Sequence, residues 1–409
     1  MIHSQCRNAL FLFLIAAACV CSAQALLPPF NHYLTYAGDP STSIVVNFHT
    51  RGDSETTIVY YDEVSRGGDP SAYAHKAEGQ YTQIPELPQK RTLHWAELKD
   101  LKPGTTYYYV ASSAEDGDSE ERSFRTIPDT DAPLRFATGG DMGPTPLARQ
   151  LLEQTAKHDP MFTVIGGDIV YANGKLSAYR SWDKWFDNYD ETMRTSDGRM
   201  IPLVVAIGNH ETNDLPTTQP NIFAPFYTYY FANQQANGRM YFDLQFGKNF
   251  ALIALDSGHV VPHAGEQTTW LAQALSKYQE LPYRFCVYHV PLYPSHRDYE
   301  GTGSQAGRLY WMPYFDAFNV TTCFENHDHT LKRSKLLKNG QEDPTGTLYI
   351  GDGSYGVGAR TVDDVLRPYL EVQQPKSHFW IVDVATDKIQ YQAYDENGAV
   401  LDQYEHTPQ

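Results

Sequence analysis

Five short polar clusters, each directly behind a run of strand-forming residues, constrain this chain more than any other feature. They are Gly140-Asp141-Met142-Gly143, Gly167-Asp168-Ile169-Val170-Tyr171, Gly208-Asn209-His210-Glu211, Val287-Tyr288-His289 and Asn326-His327-Asp328-His329. The runs before them predict strands over 134–138, 161–165, 201–207, 283–288 and 320–324, with a further strand over 250–255 ending at Asp256. Apolar residues at helical spacing predict helices over 144–158, 177–193, 266–278 and 307–318. Strands alternating with helices form β-α-β units, in which residues at the strands' carboxyl ends converge on one edge of a sheet. The five clusters are therefore expected to meet.

Their side chains decide what chemistry such a meeting supports. Aspartate, asparagine and tyrosine offer hard oxygens and histidine a borderline nitrogen, a set suited to iron, zinc or manganese rather than to a thiolate zinc site. Each residue alone has a plainer reading. Asp141 and Asp168 follow glycines as turn-formers do, Tyr171 suits a core, Asn209 suits a left-handed turn, and His289 suits a satisfied strand end. Those readings do not account for the shared strand-end position, so the clusters are read together as a two-metal site.

The first quarter of the chain has a different rhythm. Over 26–126, short alternating runs such as Ser43-Ile44-Val45-Val46-Asn47-Phe48 are separated by turn clusters, which predicts an all-β sandwich. Leu101-Lys102-Pro103-Gly104-Thr105-Thr106-Tyr107 resembles the turn and tyrosine strand of a fibronectin type III domain. Residues 127–133, with Pro128 and Pro133, are read as a linker, and 134–409 as the catalytic domain. Residues 1–25 read as a secretory leader: Arg7, an apolar run from Ala9 to Val20, then Ala23-Gln24-Ala25. Export is expected, to the extracellular space or periplasm. Beyond the leader only Cys286 and Cys323 remain, expected as neighbouring buried thiols rather than a bridge. The net charge of −17 argues against nucleic acid or an anionic membrane as the main partner. The tail carries strands over 347–350, 379–384 and 388–394, expected to complete a second sheet.

Taken in order, Gly-Asp-x-Gly, Gly-Asp-x-x-Tyr, Gly-Asn-His-Glu, the strand-end His289 and His-x-His resemble the five motifs of the purple acid phosphatases, a branch of the calcineurin-like metallophosphoesterases. The resemblance implies an α+β/α/β two-domain chain, a fibronectin type III-like sandwich followed by a four-layer α/β/β/α metallophosphoesterase domain. It implies that Asp141, Tyr171 and His329 bind iron(III), that Asn209, His289 and His327 bind a second, divalent metal (iron, zinc or manganese), and that Asp168 bridges both. Two departures stand out: Cys286 where the family usually has valine, and Asn326 where it usually has glycine, expected here to adopt the positive φ of that turn.

The implied activity is acid hydrolysis of phosphate monoesters by attack of a metal-bound hydroxide. His210 is the candidate acid for the leaving group. His296 is a second catalytic candidate, and Asn209, His210, His296 and Arg297 are candidate phosphate contacts. His259 and His263 read as surface histidines near the rim. A phosphodiesterase or nucleotide pyrophosphatase on the same metal pair is the alternative within the enzyme class. A binding or adhesion module with a vestigial metal site is the alternative outside it, and the filled ligand positions speak against that. The expected partner is a small phosphate ester.

Overall fold

The computed structural model describes residues 27–215 and 219–407, so the expected leader lies outside the described residues. Among the described residues no helix is long and apolar enough to cross a membrane.

Two large mixed sheets form the body. The first has ten strands, in the order Val400–His406, Ile389–Tyr394, Phe379–Val384, Leu134–Gly139, Thr163–Ile165, Leu203–Val205, Phe30–Thr35, Ile44–Arg51, Arg91–Leu98 and Gln80–Thr82. The second has seven, in the order Phe242–Phe246, Phe250–Ala254, Tyr283–Val287, Thr322–Glu325, Leu348–Gly351, Leu331–Ser334 and Leu370–Gln374. The strands that precede the polar clusters are parallel neighbours at the centre of each sheet. That shared direction puts all five clusters at one edge.

Alternation along these strands builds four layers. Phe136, on the inner face of the first sheet, meets Phe250, Phe285 and Phe324 of the second at centroid distances of 5.6, 5.9 and 5.6 Å. Each ring removed from water in this way contributes about 1.5–3 kcal/mol. The next residue, Ala137, faces outward and packs with Leu151 and Leu152 of helix Pro146–Ala156 and Trp185 and Phe186 of helix Tyr179–Thr192. Across the molecule Ile253, Cys286 and Cys323 face Leu271 and Leu275 of helix Glu266–Lys277 and Phe315 of Met312–Ala317. Cys286 and Cys323 are paired in register on adjacent strands, both buried and both free thiols.

The amino-terminal sandwich closes a five-stranded sheet, including Ile58–Asp62, Thr106–Ser113 and Arg122–Arg125, over the far end of the ten-stranded one. Tyr107 Oη accepts from the Lys102 amide at 2.9 Å, the tyrosine-corner contact that the 101–107 run suggested. Thr35 pairs with Leu203 in parallel register, so the first sheet runs without a break across the two segments that residues 127–133 connect. Buried Arg91 on the sandwich binds both carboxylate oxygens of Asp183 on helix Tyr179–Thr192.

Two expectations are corrected. Of the tail strands only Leu348–Gly351 joins the second sheet. Phe379–Val384 pairs antiparallel with Leu134–Gly139, and Ile389–Tyr394 follows it into the first sheet. The helix expected over 307–318 is two helices, Thr302–Tyr310 and Met312–Ala317, divided at Trp311. Pro313 lies in the first turn of the second, where its missing N–H costs nothing.

Candidate metal centre

Three of the five clusters leave their strands by an abrupt left-handed turn. Asp141 (φ 61°), Asp168 (φ 52°), Tyr171 (φ 60°), His327 (φ 79°) and His329 (φ 58°) all take the left-handed conformation. For side chains of this size that costs on the order of 1–3 kcal/mol each, and it persists only where the surroundings impose it. Here the turns aim carboxylate, phenol and imidazole into one cleft between the two sheets.

Two adjoining donor sets result. In one, Asp141 Oδ1 lies 2.8 Å from His329 Nε2 and 3.0 Å from Tyr171 Oη, which is itself 3.1 Å from His329 Nε2. In the other, His289 Nε2 lies 3.1 Å from Asp168 Oδ2, 3.2 Å from Asn209 Oδ1 and 3.0 Å from His327 Nδ1. Asp168, His289 and His327 offer ligand atoms within 4.8 Å of one another. The sets share a floor, because the amides of Asp141 and Met142 donate to the carbonyls of Gly167 and Asp168.

The donor chemistry fits metal ions. His289 Nδ1 faces the Gly166 carbonyl at 2.9 Å; a carbonyl only accepts, so Nδ1 carries a proton and Nε2 points at a carboxylate, an amide oxygen and a second imidazole. Such an arrangement calls for a cation at its centre. With the protein's own groups alone, burial lowers the pKa of His289, but the Asp168 and Asp141 carboxylates outweigh it and push the value up to about 10, so the pocket favours a positive charge that a bound cation would supply in place of the proton. Burial, then the His289 charge and Arg297, hold His327 far below the ordinary range, as a neutral ligand requires. Burial and the two aspartates push the Tyr171 phenol strongly upward, so its phenolate form needs a strong positive charge beside it.

Residues 29–126 match the family described as the purple acid phosphatase N-terminal domain, and residues 134–331, which contain all seven donors, match the calcineurin-like phosphoesterases. Purple acid phosphatase 21 of Arabidopsis thaliana is 28% identical over 298 residues, covering 71% of this chain and 65% of the relative. Purple acid phosphatase 18 of the same plant is 26% identical, covering 80% of this chain and 71% of the relative. The chain thus spans about two thirds of the length of these curated relatives. The structure of purple acid phosphatase PPD1 from yellow lupin seeds superposes with a TM-score of 0.80 at 16% identity, over 93% of this chain and 75% of that one. The chain belongs to the purple acid phosphatases.

Several side chains hold this purple acid phosphatase's centre in place without joining either donor set. Glu211, fully buried, accepts from the amides of Gly208 and Asp168 through Oε2 (2.8 and 2.7 Å) and from Ile169 through Oε1 at 2.8 Å, tying the second cluster to the third. Burial and then the Asp168 charge raise its pKa to about 7. The sequence placed Glu211 in its motif but gave it no task; its fixed position after Asn-His was the only signal. His210 stacks near Tyr171 with centroids 4.2 Å apart, its amide donates to Asp168 Oδ1 at 2.8 Å, and its Nδ1 bonds Asn173 Oδ1. Its Nε2 is 3.8 Å from Asp168 Oδ2.

Three expectations change at the rim. Asn326 is not in the positive-φ conformation; His327 and His329 take it instead, and the Asn326 carboxamide packs beneath the centre and donates to the Tyr288 carbonyl at 3.0 Å. His263 is buried against Trp311, and His259 is half-buried with its ring 5.5 Å from that of His289, so neither is a plain surface histidine. The amides of His296 and Arg297 both donate to Asp328 Oδ2, between the two ligands of the last motif. Arg297 Nη1 donates to the His327 carbonyl (2.5 Å) and Asp328 Oδ1 (2.9 Å). His296 lines a neighbouring cavity of about 770 Å³, and among the described residues no hydrogen bond or ring contact joins its side chain to the seven donors.

Proposed function

We propose that this chain is a binuclear-metal acid phosphatase, exported by its leader, that hydrolyses phosphate monoesters. The observation that carries the reading is the pair of adjoining donor sets, one anionic and hard, the other rich in neutral imidazole. Asp141, Tyr171 and His329 would hold iron(III), Asn209, His289 and His327 a divalent ion, and Asp168 both. When bound, the metal pair supplies Lewis acidity toward the phosphoryl oxygens and the attacking water.

The chain's own residues supply orientation and a proton. Asn173 Oδ1 accepts from His210 Nδ1–H and leaves Nε2 turned into the cleft, where the imidazolium form would deliver its Nε2 proton to the leaving oxygen; burial lowers the pKa of this ring, so that form belongs to acid pH. Glu211 keeps the Asp168 and Asn209 loops in register through its three amide contacts. Arg297 braces the last motif through Nη1, which donates to the His327 carbonyl and Asp328 Oδ1, while its remaining guanidinium nitrogens are assigned to the phosphate. His296 is left with a place at the outer rim.

The test is hydrolysis of p-nitrophenyl phosphate and its bis-ester from pH 4 to 8, with Asp168→Asn beside the wild type. Monoester turnover that peaks below neutral and vanishes in the variant supports the proposal. Cleavage of the bis-ester alone assigns a diesterase. Activity toward neither, with metals demonstrably bound, overturns it.

A further inference from the structure

A cavity of about 670 Å³ opens between the amino-terminal sandwich and the loops that follow Tyr171 and His210. Its wall includes Gly174, one residue beyond the Asn173 that bonds His210. Gly174 lies so close to the next cluster that a Cβ there would sit 2.7 Å from the Asn213 nitrogen and 2.9 Å from the Thr212 carbonyl carbon. The loop after Tyr171 and the loop after His210 are thus in backbone contact, and Gly174, Leu176, Asn213 and Leu215 extend that contact into the cavity wall.

Much of the lining is apolar. Ile84 and Pro85 from the sandwich face Leu176, Leu215 and Ile222 from the catalytic domain. Leu215 and Ile222 are 53% and 42% exposed, an unusual placement for two large apolar side chains that share one hollow. Lys175, Glu86 and Asp214 stand in the same lining, so one cation is set against two acids, and the cavity has no excess of positive charge with which to hold a second phosphate.

We infer that this cavity receives the alcohol portion of the substrate, and that its chemistry selects phosphate monoesters of apolar, aryl or alkyl, alcohols. The inference rests on the proposed function: with the phosphate at the donor sets and the leaving oxygen toward His210, the rest of the ester projects on the side where this cavity begins. It gives the sandwich a part in specificity, because Ile84 and Pro85 form one wall. An apolar wall of this kind discriminates through burial of the alcohol, and loss of a few apolar contacts is worth about a tenfold change in kcat/KM.

The metal-loaded full chain is assayed with 1-naphthyl phosphate and glycerol 2-phosphate, in the wild type and in the double variant Leu215→Asn, Ile222→Asn, whose positions are solvent-exposed. The expected result is a wild-type preference for the naphthyl ester, with the ratio of kcat/KM values falling about tenfold in the double variant. A ratio that is the same in both proteins overturns the inference while leaving the phosphatase reading intact. If the wild type hydrolyses neither ester, the phosphatase reading fails, and naphthyl fluorescence then decides the cavity alone. Binding of 1-naphthyl phosphate that the double variant loses keeps it as an apolar site, and no binding by the wild type removes it.

Discussion

The carboxamide of Asn326 occupies the space that the missing side chain of Gly166 leaves: a Cβ on Gly166 would collide with Asn326 Nδ2, and one on Gly140 would collide with its Oδ1. Asn326 precedes the last two ligands, Gly140 precedes Asp141, and the Gly166 carbonyl fixes His289. One buried amide therefore sets the spacing of three ligand loops. Gly166 is not among the positive-φ glycines, so alanine suits its backbone and only the collision opposes it. Gly166→Ala is expected to cost about 1–3 kcal/mol as overpacking and to weaken metal binding. Adding Asn326→Gly should recover part of both losses. Thermal midpoints and metal content of the two single variants and the double variant test this, and additive losses would refute the reciprocal fit.

Metal binding should also register in stability. A ligand present at 100 times its Kd stabilises the folded chain by about 2.7 kcal/mol. Chelation is expected to lower the thermal midpoint of the wild type, and the response to added metal should shrink in Asp168→Asn, which weakens the carboxylate facing His289. Calorimetry with and without chelator measures both. An unchanged midpoint in the wild type would count against a resident metal pair.

The candidate ligands were legible in the sequence because each lies within a few residues of the strand that aims it. The four-layer body was expected from the family resemblance alone; the structure shows its basis in Phe136 beside Ala137, which serve the two faces of one strand. What escaped was non-local. Nothing near Thr35 announces Leu203 as its partner, and the alternation of Phe379–Val384 marks a strand without naming its sheet. Asn326 shows a local preference giving way to packing. Asparagine tolerates positive φ, yet two distant glycines and the Tyr288 carbonyl determine its place. The broken helix at Trp311 was signalled by Pro313, which weighs less in a pattern of apolar spacing than in the backbone.

Behind the last motif sits a fully buried ion network. Lys332 Nζ donates to Glu325 Oε2 and the Tyr293 carbonyl, each at 2.6 Å, and lies 3.1 Å from Asp352 Oδ2. Glu325 in turn accepts from Tyr288 Oη and the Leu292 amide, so the ammonium ties the strand before His327 to the loop after His289. Lys332→Met removes the only cation in this ring and strands two buried carboxylates. A loss of about 3–5 kcal/mol is expected, read from urea denaturation midpoints. A loss below about 1 kcal/mol would mean that the carboxylates are neutral or reach water.

Acid should loosen the sandwich through His94. Its ring stacks on Phe48 at 4.7 Å and places Nε2 and Nδ1 at 2.8 and 2.7 Å from the hydroxyls of Thr50 and Thr57. Burial lowers its pKa from 6.5 to about 4, an effect that the nearby Glu115 carboxylate only partly offsets. Because the folded value lies below the unfolded one, the unfolded chain binds the proton first. The contribution of His94 is complete above about pH 6.5 and is lost as pH falls toward 4, by at most on the order of 3 kcal/mol. His32 and His49, also buried and also shifted downward, add to the same trend, so the informative quantity is a difference. Between pH 7 and pH 4 the wild type is expected to lose more stability than His94→Gln, measured by chemical denaturation at each pH. Parallel losses in the two proteins would show that His94 takes up its proton without unfolding the sandwich.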